Sequence, residues 1–381
     1  SRPGRDSMIV RSVRLETFRN YLDETVELSP GINILTGLNA QGKTNLLEGI
    51  FLLSCGHGFR TRFDSELIAF GNDSALVSGS VFSAGREQEI QIGLTLGVRK
   101  RVFVNGVKRN AAELSELLRV VLFSPGDLNM IKDGAQARRR FMDMAISQLR
   151  PAYAKLLAEY ARLYEHKRRI LRDWREKPAL LDALDDFSDG LCRCGAQIVR
   201  YRAAFVQKLT EAAIPIHAEF SGRDEVLSLA YQTAGSVKDP FALPQEICSA
   251  LSEHQKAHRQ AELASGNVLS GIHKDELEIG INGSSARLYA SQGQTRTAAL
   301  SLKMAERALS LKDTGDCPIL LLDDVLSELD EKRQEFVLSR IGGGQTLITC
   351  CEDSRVRKRT AGRIIGITGG RTQALSGPEK A

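Results

Sequence analysis

Gly37-Leu38-Asn39-Ala40-Gln41-Gly42-Lys43-Thr44 lies between a short apolar run, Ile32 to Leu35, and a segment whose Leu46, Leu47, Ile50, Phe51 and Leu53 recur at helical spacing. The stretch matches G-x-x-x-x-G-K-[ST] in the order strand, loop, helix. The glycines let successive backbone N–H groups turn inward toward phosphate oxygens. Lys43 can reach the β- and γ-phosphates, the Thr44 hydroxyl can bind Mg²⁺, and the helix N-terminus adds a favourable partial positive charge. Together they imply a nucleotide site.

A second run, Ile319-Leu320-Leu321-Leu322-Asp323-Asp324, is four apolar residues ending in two carboxylates. A buried strand delivering an acid at its C-terminal end would set Asp323 beside the phosphate loop to hold Mg²⁺, with Asp324 placed as a general base toward the attacking water. Asp323 follows Thr44 by 279 residues, a much longer gap than compact GTPases have. No N-K-x-D element for reading guanine is present, so ATP is expected over GTP. A third stretch, Ser291-Gln292-Gly293-Gln294, precedes a long helical pattern and reads as another phosphate-binding helix start.

The elements that must position these residues fall into three parts. Alternating stretches and turns fill the first hundred residues, and Arg101 to Lys108 reads as a hairpin with Asn105-Gly106 as a type I′ turn. From about Ala135 to Ala264 the strand signal nearly disappears and apolar residues recur at helical spacing, as in Tyr153, Leu156, Leu157, Tyr160, Leu163 and Tyr164. Strands return at Leu277 to Ile281, Ile319 to Leu322 and Gln345 to Cys350, with a helix from Gln294 to about Leu311. Ser1 to Ser7 look like an expression scar, and Gly369 to Ala381 like a loose tail.

Composition bounds the partners. The 381 residues carry 52 Lys and Arg against 47 Asp and Glu, a net charge of +5 that is too small to imply nucleic acid by itself. With 42% hydrophobic residues the chain can bury a core, and with 6% aromatics it is a poor candidate for binding mainly by base stacking. The 7 Cys at uneven spacing make neither a disulfide framework nor a zinc site, which fits free thiols and a cytoplasmic protein. No apolar run reaches the roughly 20 residues of a membrane span. Positive charge is concentrated at Arg99, Lys100, Arg101, Lys108 and Arg109 around the hairpin, at Arg138 to Arg140, and at Lys167, Arg168, Arg169 and Arg172. Such clusters can neutralise DNA phosphates. Trp174 reads as an amphipathic anchor and His57 as structural.

Ser291 to Gln294 is similar to the signature motif of the ABC-type ATPases, and Leu326-Ser327-Glu328-Leu329-Asp330 to their D-loop. More narrowly, Met8 to about Gly366 resembles the RecF family, ABC-type ATPases related to the SMC proteins. Leu15-x-x-Phe18-Arg19-Asn20-Tyr21, the phosphate loop, Phe59-Arg60-Thr61, Phe123-Ser124-Pro125-Gly126-Asp127-Leu128, Arg139-Arg140-Phe141-x-Asp143, Ser291 to Gln294 with Arg296, and Leu320 to Asp330 carry the resemblance. Gly126 stands where the family usually has Glu, Gly271-Ile272-His273-Lys274-Asp275-Glu276 is a loosened form of G-P-H-R-D-D, and Thr349 is the candidate γ-phosphate sensor where many ABC enzymes carry a His.

The resemblance implies an α/β, ABC-ATPase-like head built from N- and C-terminal segments, residues 8–134 and 265–375, with an inserted helical arm, 135–264. It implies a weak ATPase using ATP and Mg²⁺, and an ATP-dependent homodimer in which Ser291, Gln292, Gly293, Gln294 and Asp330 act across subunits. It also implies binding to double-stranded DNA or single/double-strand junctions, loading of recombinase onto gapped DNA in recombinational repair and replication-fork maintenance, and partnership with RecR and possibly RecO. Two alternatives stay open: an SMC-like ATPase partnering a repair nuclease, and another ABC-type ATPase of a defence or transport system.

Overall fold

The computed structural model describes residues 8–61, 63–233, 237–351 and 362–375. The expected scar therefore lies outside the described residues, as do the residues after Leu375; the first part of the expected loose tail from Gly369 is instead ordered, since Arg371–Leu375 pairs antiparallel with Arg363–Thr368. The chain divides into two compact units: one combines the residues up to Leu128 with those from Glu306 onward, and the other spans Asn129–Ala305.

Two six-stranded sheets make up the first unit. One is antiparallel, in the order Tyr21–Glu27, Ile9–Phe18, Ser74–Ser83, Arg86–Thr95, Val98–Val104, Val107–Lys108. Its alternating Val13, Leu15, Val77, Val81, Ile90, Ile92, Val102 and Val104 are buried on one face. Asn105 and Gly106 both have positive φ, 50° and 76°, the backbone of the type I′ turn that the sequence implies.

The second sheet runs Arg371–Leu375, Arg363–Thr368, Ile32–Thr36, Thr346–Cys350, Ile319–Leu322, Val120–Phe123, and is parallel except for the edge strand Arg371–Leu375. Its central strands are apolar without alternation, as expected of a parallel sheet covered on both faces. Segments from the two ends of the chain interleave here, so strands on either side of the helical region share one sheet, whereas Glu276–Ile281 belongs to a separate three-stranded sheet in the other unit. Helix Lys43–Cys55 packs against strands of both sheets and is buried nearly all round rather than on one face; its Gly49 lies where a Cβ would meet the Leu15 side chain at 2.6 Å.

The second unit is mainly helical, with Ala135–Leu149, Pro151–Asp173, Pro244–Ser265 and a 38-residue helix, Leu184–Ser221, that accommodates Pro215. One strand here departs from the sequence reading. Leu227–Gln232 pairs antiparallel with Glu276–Ile281 along its whole length, Leu227 opposite Ile281 and Gln232 opposite Glu276. Six weakly alternating residues carry little local signal; the partner, some fifty residues on, makes them a strand. Among the described residues no helix is long and apolar enough to cross a membrane.

Candidate nucleotide-binding site

In the parallel sheet, Thr346–Cys350 lies between Ile32–Thr36 and Ile319–Leu322, with Thr349 opposite Leu35 and Ile348 opposite Leu322. The chain leaves the two outer strands of this trio into Gly37 and Asp323 respectively. Parallel register thus brings together two motifs far apart in sequence, at the carboxyl ends where open α/β sheets hold ligands.

Glycine is required at two points of the loop. Gly37 has φ 152°, and a Cβ there would lie 2.3 Å from the Ile367 carbonyl oxygen. Gly42 has φ 120°, and a Cβ would press on the Asn20 amide and the Tyr21 hydroxyl at 2.9–3.0 Å. Lys43 is buried, and its Nζ donates to the carbonyls of Gly37 at 2.7 Å and Leu38 at 3.0 Å, which draws the ammonium across the loop. Thr44 Oγ1 donates to Asp323 Oδ1 at 2.8 Å. Leu38, Asn39 and Ala40 are exposed and Gln41 half-buried, on the rim of the loop.

A scaffold surrounds the loop. Asn20 Nδ2 donates to the Gln41 carbonyl at 2.9 Å, Tyr21 Oη to the Gly42 carbonyl at 3.0 Å, and the Gly370 amide to the Gln41 carbonyl at 3.0 Å. Asn45 Nδ2 donates to Asn20 Oδ1 at 2.7 Å, and Arg60 donates to Asn45 Oδ1. Below it, the fully buried Glu48 accepts from both Arg19 and Arg60 at 2.9 Å. The motifs Phe18-Arg19-Asn20-Tyr21 and Phe59-Arg60-Thr61 thus converge on the phosphate loop and its helix, a role that their sequence does not reveal.

Asp323 is 6% exposed. Burial raises its carboxyl above the ordinary value, the neighbouring Asp324 charge adds to this, and the Thr44 and Thr349 hydroxyls and Arg60 oppose it. A buried carboxylate bonded to a hydroxyl is an all-oxygen donor pair that favours a nearby positive charge, and it fits Mg²⁺, which takes few protein ligands and fills its shell with phosphate and water oxygens. Asp324 is half-buried and left-handed at φ 51°, and its amide donates to Thr349 Oγ1 at 2.7 Å. Asp330 caps helix Glu331–Arg340: its carboxylate accepts from the Arg333 amide at 2.9 Å and pairs with the Arg333 guanidinium.

In the second unit Ser291 opens helix Gln292–Thr314 through a reciprocal cap. The Ser291 amide donates to Gln294 Oε1 at 2.9 Å and the Gln294 amide to Ser291 Oγ at 3.2 Å. Gln292 contributes its carbonyl to Thr295 Oγ1 and Gly293 its carbonyl to Thr297 Oγ1, both at 3.0 Å. Lys132 Nζ donates to the carbonyls of Arg287 at 3.0 Å and Ala290 at 2.8 Å, which secures the approach to this turn.

The basic clusters differ in what they offer. Arg99, Arg101, Lys108 and Arg109 are exposed on the last strands of the antiparallel sheet; Lys100 is half-buried and paired with Asp64 at 2.8 Å, and Arg109 lies 3.7 Å from Glu113. Two of the other expected phosphate contacts are corrected. Arg138 is buried, forms a two-pronged pair with Glu276 at 2.7 and 2.8 Å, and donates to the carbonyls of Met130, Ile131 and Asp133. Lys167 is buried against Glu262 at 2.8 Å and Gln255 at 3.0 Å. Both serve the interior of their unit. Trp174 Nε1 donates to the Leu263 carbonyl at 3.2 Å, an anchoring contact, and His57 packs edge-on against Phe51.

The family described as RecF/RecN/SMC N terminal domain matches residues 9–374. The chain is 35% identical over 368 residues to the DNA replication and repair protein RecF of Acetivibrio thermocellus, covering 96% of this chain and 100% of that one. It is 38% identical over 346 residues to the same-named protein of Lachnospira eligens, covering 90% and 92%. A solved structure described as the recombination mediator protein RecF-ATP in the RecFOR pathway superposes with a TM-score of 0.88 at 33% identity, covering 97% of this chain and 98% of that one. The Smc head domain of Pyrococcus furiosus, TM-score 0.55 at 17% identity over 97% of this chain and 96% of that one, shares the fold.

Proposed function

The chain belongs to the RecF family of ABC/SMC-type ATPases, and from that premise we propose that it is an ATP-dependent DNA-binding protein of recombinational repair and replication-fork maintenance. The observation that carries the reading is the 2.8 Å hydrogen bond from Thr44 to Asp323, residues 279 apart, which joins the phosphate loop to the acid at the end of Ile319–Leu322.

Each group has a part in the reading. The loop amides from Gly37 to Thr44, the Lys43 ammonium and the helix N-terminus hold the phosphates of ATP. Thr44 and Asp323 hold Mg²⁺, which when bound neutralises developing charge on the phosphates. Asp324 accepts a proton from the attacking water. Ser291, Gln292, Gly293 and Gln294 of one subunit close on the nucleotide held by the other, with Asp330 beside them, so that ATP joins a homodimer. Hydrolysis is slow and opens that dimer, making it a timer for the bound state. The division into a head of 8–134 and 265–375 and an arm of 135–264 is the functional one in this reading. Arg99, Lys100, Arg101, Lys108 and Arg109 meet DNA, double-stranded or at single/double-strand junctions. The closed dimer, acting in the cytoplasm with RecR as its partner and RecO as a second candidate partner, loads recombinase onto gapped DNA.

The test is DNA binding by the full chain, with and without ATP and Mg²⁺, across a salt series. The reading expects ATP to strengthen binding, affinity to fall steeply with salt, and Lys43→Arg to lose the ATP effect together with hydrolysis. Binding indifferent to both ATP and salt would overturn it.

A further inference from the structure

Thr349 stands on the strand between those that deliver the phosphate loop and Asp323, and it is 2% exposed. Its hydroxyl oxygen accepts the Asp324 amide at 2.7 Å and lies 3.2 Å from Asp323 Oδ1 and 3.2 Å from Asp324 Oδ1. A hydroxyl has one proton to give. The Asp324 amide is accepted in one direction, and in the other the proton has the two carboxylates before it at 3.2 Å, nearer than the Leu322 carbonyl at 3.5 Å. This hydrogen-bonding capacity is directed to the acidic pair, which is the opposite of what a residue reaching out to sense a γ-phosphate would require.

Asp324 is where such support matters. Its φ of 51° is a left-handed conformation that a residue with a Cβ adopts at a cost and keeps only when its surroundings hold it there. The turn beyond it is tied down on the other side, since Ser327 Oγ donates to the Asp324 carbonyl at 2.6 Å. The Thr349 hydroxyl fixes the amide end of the same residue, and Cβ branching limits the rotamers from which that hydroxyl can be presented.

We propose that Thr349 is a positioning residue for hydrolysis: its hydroxyl locks Asp324 in the left-handed backbone conformation from which the carboxylate faces the attacking water. The inference rests on the reading of Asp324 as the general base. It assigns Thr349 a role in the rate of hydrolysis and none in nucleotide affinity.

The experiment compares Thr349→Val, Thr349→Ser and Asp324→Asn in the full chain, each checked for an unchanged melting temperature, by steady-state ATP hydrolysis and by direct ATP binding. Valine keeps the shape and removes the hydroxyl; serine keeps the hydroxyl. Thr349→Val is expected to lower kcat about 10- to 100-fold, the range over which displacement of a catalytic group acts, while its affinity for ATP stays within about threefold and Thr349→Ser recovers kcat to within about threefold. A Thr349→Val protein hydrolysing at the parental rate, or one with weakened ATP affinity and kcat intact, would overturn the inference. If Asp324→Asn hydrolyses normally, the reading of Asp324 is what has failed. If Asp324→Asn is inactive while Thr349→Val is fully active, the role given to Thr349 alone is wrong. Should the valine protein not fold, Thr349→Ala against Thr349→Ser reads the same contrast.

Discussion

Replacing Asn20 with Ala tests whether the phosphate loop is held ready for its ligand by a residue outside the motif. The substitution removes the donor at 2.9 Å to the Gln41 carbonyl and the acceptor at 2.7 Å for Asn45. Each such bond contributes a net ~0.5–1.5 kcal/mol, so the pair contributes about 1–3 kcal/mol to fixing the loop. If that ordering must be supplied at binding instead, ATP affinity falls about 5- to 150-fold, the upper end requiring that the whole effect be felt by the loop. The Asn20 side chain is half-buried, and the Tyr21 and Gly370 hydrogen bonds remain, which favours the lower half of the range. Titration calorimetry with ATP and Mg²⁺ gives the affinity, and thermal unfolding without nucleotide reports the cost to the fold. An affinity within twofold of the parent in a protein of unchanged stability would refute the reasoning, because the loop would then be ordered by its own glycines and helix alone.

Other expectations follow from buried charge and from exposed charge. Arg202 is 2% exposed and binds Asp143 and Asp275 at 2.9 Å each; Arg202→Met leaves the buried Asp275 charge without its guanidinium and should cost about 3–5 kcal/mol in urea unfolding, whereas a loss below ~1 kcal/mol would contradict this. His273 is held by burial to about 4 in the folded chain, with the hydrogen bond to the Val268 carbonyl opposing. The unfolded chain therefore binds more protons between that value and the ordinary 6.5, so this contribution to stability is complete above 6.5 and is lost as pH falls toward 4. His273→Asn should flatten the melting-temperature profile across that window, and a profile identical to the parent's would refute the assignment. Arg101→Ala with Lys108→Ala should reduce the salt slope of DNA binding by about 1 for each phosphate that is no longer neutralised; an unchanged slope would place the DNA elsewhere.

The placement of the site's motifs was legible because they are local. Gly37 to Thr44 and Ile319 to Asp324 carry their strand, loop and acid within a few residues, and a parallel sheet is the ordinary way to bring two such strand ends together. What holds those motifs was not legible, because it acts over long separations. Gln345 is fully buried and binds the Val10 amide, the Val10 carbonyl and the Ser29 carbonyl at 2.8 Å each, a clasp across more than three hundred residues. Nothing near Gln345 in sequence announces it. The basic runs failed for another reason: on helix Ala135–Leu149 one turn carries Arg138 inward and Arg140 outward, and on Pro151–Asp173 Lys167 is buried while Arg168 and Arg169 are exposed. Charge clustering in sequence does not say which face of a helix each residue takes. The strand Leu227–Gln232 was hidden by the helical composition around it and exists through its pairing with Glu276–Ile281.

The central claim is that one nucleotide is completed by residues of two subunits, the phosphate loop from one and Ser291 from the other. It is tested most directly by mixing two variants, Lys43→Ala and Ser291→Arg, each inactive in ATP hydrolysis when alone. A mixed dimer contains one site with both defects and one with neither, so the account predicts that hydrolysis and ATP-dependent dimer mass in light scattering return on mixing. If the mixture stays as inactive as its components while each variant remains folded, the two motifs do not meet across subunits and the account is contradicted.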